Sequence, residues 1–196
     1  IRLEGSGAVH ISTSITEQGQ GTEAVMQQIA ADQLGVKVDT VRVTHGDTDA
    51  TPYGGGTWAS RGVGIGGEAV LKASRKLKEN ILNIAAVIMQ SEVNNLDIQD
   101  DHVIRKDGGE VISLKDLAQI VYYRGHELPP GTNAELIATA SFSIEGVPFV
   151  FTNSAMGCLV DVDVDTGLTK IEKFWAVEDC GTQINPKLVE EQIRGG

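Results

Sequence analysis

The period of hydrophobic and polar positions changes several times along the chain. From Ala8 to Thr16 apolar and polar residues alternate and β-branched types dominate, which predicts a strand. Gln18-Gly19-Gln20-Gly21 ends it. From Thr22 to Leu34 the apolar residues Met26, Ile29, Ala30 and Leu34 share one helical face, and Gly35 is placed to stop the helix. Val41 to His45 reads as a second strand. A polar, glycine-rich stretch then runs from Gly46 to Gly62, and ordered loops of that length are usually functional. The clearest element follows. Val70, Leu77, Ile81, Ile84 and Ile88 keep a helical stripe, with Lys72, Arg75, Lys76 and Glu79 mostly off it. Ser60 is a candidate cap for that helix.

The second half is more broken. Short strands around Val103-Ile104 and Val111-Ile112 flank a hairpin-like turn, Lys106-Asp107-Gly108-Gly109. Ser113 and Asp116 form a capping-box pattern ahead of the helical positions Leu114, Leu117, Ala118 and Val121. Gly125 to Asn133, punctuated by Pro129-Pro130, reads as a link between halves 1–125 and 134–196. Ala134–Ile144 is expected to pair with Ala155–Asp165, and Asp165-Thr166-Gly167 to turn the chain into a strand at Lys170–Val177. Asn185-Pro186 starts a terminal helix, Asn as cap and Pro in the first turn. These elements predict an α+β fold with mixed or antiparallel sheets and long amphipathic helices.

Composition narrows the class. A length of 196 residues and 41% hydrophobic content suffice for a core in one domain, or in two small ones sharing an interface. Sixteen basic residues against 27 acidic ones leave a net charge of −11, which argues against nucleic acid or an anionic membrane as partner. No stretch is long and apolar enough to span a bilayer, and no signal peptide is visible. Two cysteines make no disulfide framework and the four histidines lack metal-ligand spacing, so no metal site is expected and a reducing, cytoplasmic setting fits. The chain starts at Ile1 and stops at Gly195-Gly196, and reads as a piece of something longer. Such a piece would expose apolar surface and tend to self-associate.

Candidate chemistry centres on two glycine-rich loops, each leading into a helix. They are Gln18-Gly19-Gln20-Gly21-Thr22 and Gly54-Gly55-Gly56-Thr57-Trp58-Ala59-Ser60-Arg61-Gly62. Glycine lets backbone approach a ligand closely, and a helix start offers free N–H groups to an anion. Together they are expected to grip a phosphate-bearing, dinucleotide-sized cofactor. Gly62-Val63-Gly64-Ile65-Gly66-Gly67 matches G-x-G-x-x-G, but a polar loop precedes it and the helix is still running where a second strand should end. Close backbone packing is the better reading of these glycines. Asp161 to Asp165 imitates a calcium loop, yet its valines alternate as in a strand. Asp47-Thr48-Asp49 reads as a turn. His10, His45, His102 and His126 read as structural or exposed, and Cys158 as a strand residue facing a core. Cys180 precedes Gly181 in a turn open to a ligand.

Four segments in order carry a resemblance. They are Gly19-Gln20-Gly21-Thr22; His45 through Gly54; Gly56-Thr57-Trp58-Ala59-Ser60-Arg61; and Asp179-Cys180-Gly181-Thr182-Gln183-Ile184-Asn185-Pro186 with Glu190 to Gly196 behind it. The chain resembles, over nearly its whole length, the molybdenum-cofactor-binding large subunit of the xanthine oxidase family, in its carbon monoxide dehydrogenase and aldehyde dehydrogenase branch. The resemblance implies that residues 1–196 are part of a molybdopterin-binding domain, in bacteria often for the cytosine dinucleotide form. It implies that Gln18, Gly19, Gln20, Gly21 and Thr22 approach the pterin or its phosphates, that Thr57, Ser60 and Arg61 hold another part, with Arg61 on the pyrophosphate, and that Cys180 and Gly181 form a third contact. It further implies oxidative hydroxylation with water as oxygen source, electrons leaving through iron–sulfur and flavin subunits. No catalytic residue is assigned to this chain, because the family's general-base glutamate belongs to a glycine-rich motif beyond Gly196. Trp58, Ala59 and Gly62 depart from the Tyr-Gly-Ser-Arg-Ser form of the carbon monoxide enzymes, so that substrate is not carried over.

Overall fold

Alternation in the first strand builds the first sheet. The computed structural model describes residues 1–109, 111–146 and 151–196. In β2 (Val9–Ser12) Val9 and Ile11 are buried while His10 and Ser12 lie partly exposed on the other face. It pairs antiparallel with β1 (Arg2–Leu3) and parallel with β3 (Val41–Thr44). A parallel pair needs a long crossover, and α1 (Thr22–Leu34) supplies it within the expected bounds. The strand itself is shorter than its alternation predicts. Register pairing ends at Ser12↔Thr44, the Thr13 N–H still reaches the Thr44 carbonyl at 3.0 Å, and residues 14–16 leave the ladder toward the second glycine loop.

α1 buries Val25, Met26, Ala30 and Leu34 and stops at Gly35, whose left-handed φ of 81° lets its N–H return to the Ala31 carbonyl at 2.9 Å. The helix expected next begins differently. One π-helical turn, Gly62–Gly67, leads into α2 (Glu68–Ile88), whose Val70, Leu77, Ile81 and Ile84 are buried. Ser60 does not cap it. No side chain caps the turn, and Ser60 sits at φ 57°, a left-handed conformation rather than the extended one a capping residue needs.

A second sheet contains a strand the periodicity did not reveal. β4 (Leu96–Gln99), β5 (His102–Arg105) and β6 (Val111–Ser113) run antiparallel in that order. β4 and β5 join through Asp100 and Asp101, at φ 49° and 67°, the two left-handed positions of a tight hairpin turn. Ser113 caps α3 (Leu114–Tyr123), its Oγ accepting from the Asp116 N–H at 3.0 Å. Leu3, Leu34, Val41, Leu77, Ile81, Ile84, Leu96, Val103, Leu114 and Leu117 belong to one core shared by both sheets and the three helices.

The expected pairing of Ala134–Ile144 with Ala155–Asp165 does not form. Residues 136–138 run beside the first strand instead, bonded from Leu3 N–H to Leu136 O and from Ala138 N–H to Ile1 O, both at 2.9 Å. This buries Leu136 and Ala138.

The chain divides into compact units Ile1–Pro148 and Phe149–Gly196. In the second, β7 (Asn153–Val162) pairs with β8 (Thr169–Asp179). Asp163 Oδ1 accepts the N–H groups of Asp165 and Thr166 to make the turn, so the calcium-like spacing belongs to a hairpin. Asn185 caps α4 (Pro186–Gly195) through Leu188 N–H at 3.3 Å. Cys158, expected against a core, is exposed, as are Met156, Leu159, Phe174 and Trp175. The hairpin has apolar residues on both faces, and alternation alone cannot say which face is covered. Among the described residues no helix is long and apolar enough to cross a membrane.

Candidate functional site

Where β2 ends, the chain is caught by the second loop. The Thr57 hydroxyl donates to the Thr16 carbonyl at 2.7 Å and accepts from the Thr16 N–H at 2.8 Å. Thr57 thus stands in for a strand neighbour, with its single hydroxyl proton committed to this clasp. Close approach is possible because the facing residues lack side chains. A Cβ on Gly54 would lie 2.6 Å from Ser14 Cβ, and one on Gly66 would lie 2.5 Å from Ile15 Cγ1 and 3.0 Å from Met26 Cε. One on Gly62 would sit 3.8 Å from Thr22 Oγ1. Gly54 and Gly66 are therefore packing glycines that draw both loops into one edge of the first unit, while Gly62 has room for a side chain.

The first loop is organised from within by Glu17. Its Oε1 accepts the N–H groups of Gln18 (3.1 Å), Gly19 (2.8 Å) and Gly21 (3.0 Å), and its Oε2 accepts that of Glu23 (2.9 Å). Burial pushes the carboxyl up, but the backbone bonds from Glu23, Gly21, Gly19 and Gln18 together outweigh it and hold Glu17 below the ordinary glutamate range. Gln20 ties the same bend, its Oε1 accepting from Gln18 N–H at 2.5 Å and its Nε2 donating to Thr16 O at 3.2 Å. His45 Nδ1 accepts from Glu17 N–H at 3.5 Å, so this histidine is structural.

The second loop is the open one. Gly55 and Gly56 take left-handed φ values of 81° and 72°, and a Cβ on Gly56 would meet nothing within 4 Å. Trp58 Nε1 donates to Gly55 O at 3.1 Å, and the Arg61 guanidinium carbon stands 5.2 Å from the Trp58 ring centroid, in cation–π range. Arg61 Nε is buried and has no hydrogen-bond partner. A buried, unmade N–H bond is costly, and this one belongs to a permanently charged, fork-shaped donor suited to phosphate. That donor set fits an anionic, phosphate-bearing group.

Of the residues singled out in the sequence, Gln18 to Thr22 and Thr57 to Arg61 meet on the first unit. Ser60 is exposed there. Cys180 and Gly181 belong to the second unit. Cys180 is half-buried, and Gly181, at φ 74°, donates its N–H to Asp179 Oδ1 at 3.1 Å. Asp47 makes the expected turn, its Oδ1 accepting Asp49 N–H at 2.9 Å. No group of three or more His, Cys, Asp or Glu among the described residues could hold a metal ion. Glu17, which organises the first loop, is the residue that motif reasoning passed over. The signal for Glu17 was an acidic residue directly ahead of a glycine bend that opens a helix.

Known proteins resemble this chain in sequence and in fold. The molybdopterin cofactor-binding domain model matches residues 1–196. The chain is 35% identical over 196 residues to the carbon monoxide dehydrogenase large chain of Hydrogenophaga pseudoflava, covering 100% of this chain and 24% of that one. It is likewise 35% identical to the xanthine dehydrogenase molybdenum-binding subunit of Escherichia coli O157:H7, covering 97% of this chain and 25% of the relative. The crystal structure of quinoline 2-oxidoreductase from Pseudomonas putida 86 superposes with a TM-score of 0.87 at 34% identity, over 99% of this chain and 24% of that one. The chain thus spans about a quarter of the length of these relatives, two of which are named as a large chain and a molybdenum-binding subunit. With a family model matching its full length and relatives alike in sequence and fold, the chain belongs to the molybdopterin cofactor-binding domain family.

Proposed function

We propose that this chain forms one wall of the cofactor site in a molybdenum hydroxylase and grips the anionic part of a molybdopterin cytosine dinucleotide. The observation that carries this is the buried, partnerless Nε of Arg61, whose guanidinium lies beside Gly55 and next to the open Gly56. Arg61 would take the pyrophosphate in a bidentate grip, with Trp58 holding its guanidinium plane. The exposed Ser60 hydroxyl would add a contact. Gln18, Gly19, Gln20, Gly21 and Thr22 would form the rim facing the pterin, and Thr57 would fix the spacing of rim and grip. When bound, the cofactor supplies two-electron redox chemistry; this chain positions it and excludes water from its phosphates. Electrons would leave through partner subunits carrying iron–sulfur clusters and a flavin, in a cytoplasmic assembly.

Calorimetric titration of the chain with CTP, which shares the cytidine and phosphate groups, tests the grip. A hydrogen bond to a charged group contributes about 1.5–3 kcal/mol, so Arg61→Ala should weaken binding roughly 10- to 150-fold. Arg61→Lys should recover little, because lysine lacks the planar fork and the Nε donor. Equal affinity in wild type and Arg61→Ala would refute the assignment.

A further inference from the structure

Three of the five first-loop amides expected to approach a phosphate, those of Gln18, Gly19 and Gly21, already hold an anion, and it is the protein's own. Backbone N–H groups converging around a bend form a concavity that attracts negative charge. At the start of α1 those of Gln18, Gly19, Gly21 and Glu23 all point at one carboxylate, that of Glu17. Gly21, the residue at the cap position, contributes no side chain to the helix end, so Glu17 does the capping from four residues upstream. A phosphate entering here would have to displace a group bonded to four donors, or sit beside its negative charge. Arg61, on the facing loop, has the opposite deficiency, a buried donor without an acceptor.

We infer that Glu17 is a positioning residue that permanently fills the amide concavity of the first loop, so that this loop is a rigid rim and the cofactor's phosphate is received by Arg61 and the second loop alone. The inference rests on the cofactor reading given above and divides labour between its two loops. It also accounts for the left-handed φ values of Gly19 and Gly21, 93° and 78°. The backbone is bent around an internal carboxylate. Its ionisation follows from the same geometry, since four N–H donors favour the charged form.

Amide NMR on the full 196-residue chain tests this with inorganic pyrophosphate as probe. In wild type, the amides of Gly19, Gly21 and Glu23 should titrate together with one carboxyl group below the ordinary glutamate range. Glu17→Gln should abolish that shared titration. Pyrophosphate at neutral pH should shift Arg61 Nε–H and the amides of Gly55 and Gly56 while leaving Gly19 and Gly21 unmoved. Glu17→Ala, with the concavity vacated, should let pyrophosphate shift Gly19 and Gly21 as well. Amides of Gly19 and Gly21 that lack a common acidic titration, or that move with pyrophosphate in wild type, would overturn the inference. If the Glu17 variants fail to fold, those two wild-type titrations still decide it. Pyrophosphate that leaves Arg61 unmoved while the acid titration appears would instead count against the cofactor reading and leave Glu17's role standing.

Discussion

Gly54→Ala places a methyl group where the two loops touch. Gly54 does not occupy the left-handed region, so alanine suits the backbone and gains about 0.4–1 kcal/mol by reducing the freedom of the unfolded chain. Against that gain, its Cβ would lie 2.6 Å from Ser14 Cβ, where carbon atoms prefer roughly 3.5–4 Å. A Cβ is fixed by its backbone, so neither atom can rotate away and the loops must separate. Overpacking of this kind costs about 1–3 kcal/mol, leaving a net loss of about 0.5–2 kcal/mol. Ser14→Gly removes the opposing Cβ and should cost only about 0.5–1 kcal/mol by itself. The double variant should therefore be more stable than the sum of the two changes predicts, by about 1–3 kcal/mol. Ser14→Ala removes the Oγ, which the new methyl would also strike, but keeps the Cβ at 2.6 Å, and should rescue only in part. Urea unfolding followed by circular dichroism measures all four proteins. Additivity of Gly54→Ala and Ser14→Gly within about 0.3–0.5 kcal/mol, the scatter expected of independent sites, would show that the loops do not meet at this point, and the clasped edge would fall with it.

Gly35→Ala should be worse, because two costs share a sign there. Its φ is 81° and its new Cβ would strike the Ile98 carbonyl, 2.8 Å from the carbon, so about 2–5 kcal/mol should be lost. Gly108→Ala, at the same φ with nothing within 4 Å, should show only the conformational part in parallel thermal melts. Ser113→Ala removes the cap of α3 and should cost about 1 kcal/mol in urea unfolding. Acid should destabilise the fold partly through Glu17. Its folded-state pKa is depressed, so its contribution is complete above the unfolded-state pKa and is lost as pH falls through the folded one. Glu17→Gln should flatten that part of the stability–pH curve, and an unchanged acid limb would rule this out. Asp97, held down chiefly by its 2.8 Å bond to Lys78 Nζ, adds a second contribution of the same sign.

The amino-acid sequence alone determined the parts whose physics is local. α1 ends where Gly35 stands, α3 is capped by Ser113, α4 by Asn185, and the stripe of α2 is the buried one. The motifs also sufficed for the family, since four glycine- and polar-rich segments in fixed order are more specific than any one of them. What depended on distant partners was decided only in three dimensions. Residues 136–138 chose the Ile1–Leu3 edge over the β7 hairpin, and β4 was too short to show a period of its own. Ser60 lost its capping role to the left-handed bend around it. Nor does spacing along the chain reveal that Thr57 completes the ladder at Thr16 or that Arg61 Nε is left without a partner. Helix periods and caps arise within a few residues of one another. Whether a donor is spent or free depends on side chains brought close by folding, from about 40 residues away at the clasp.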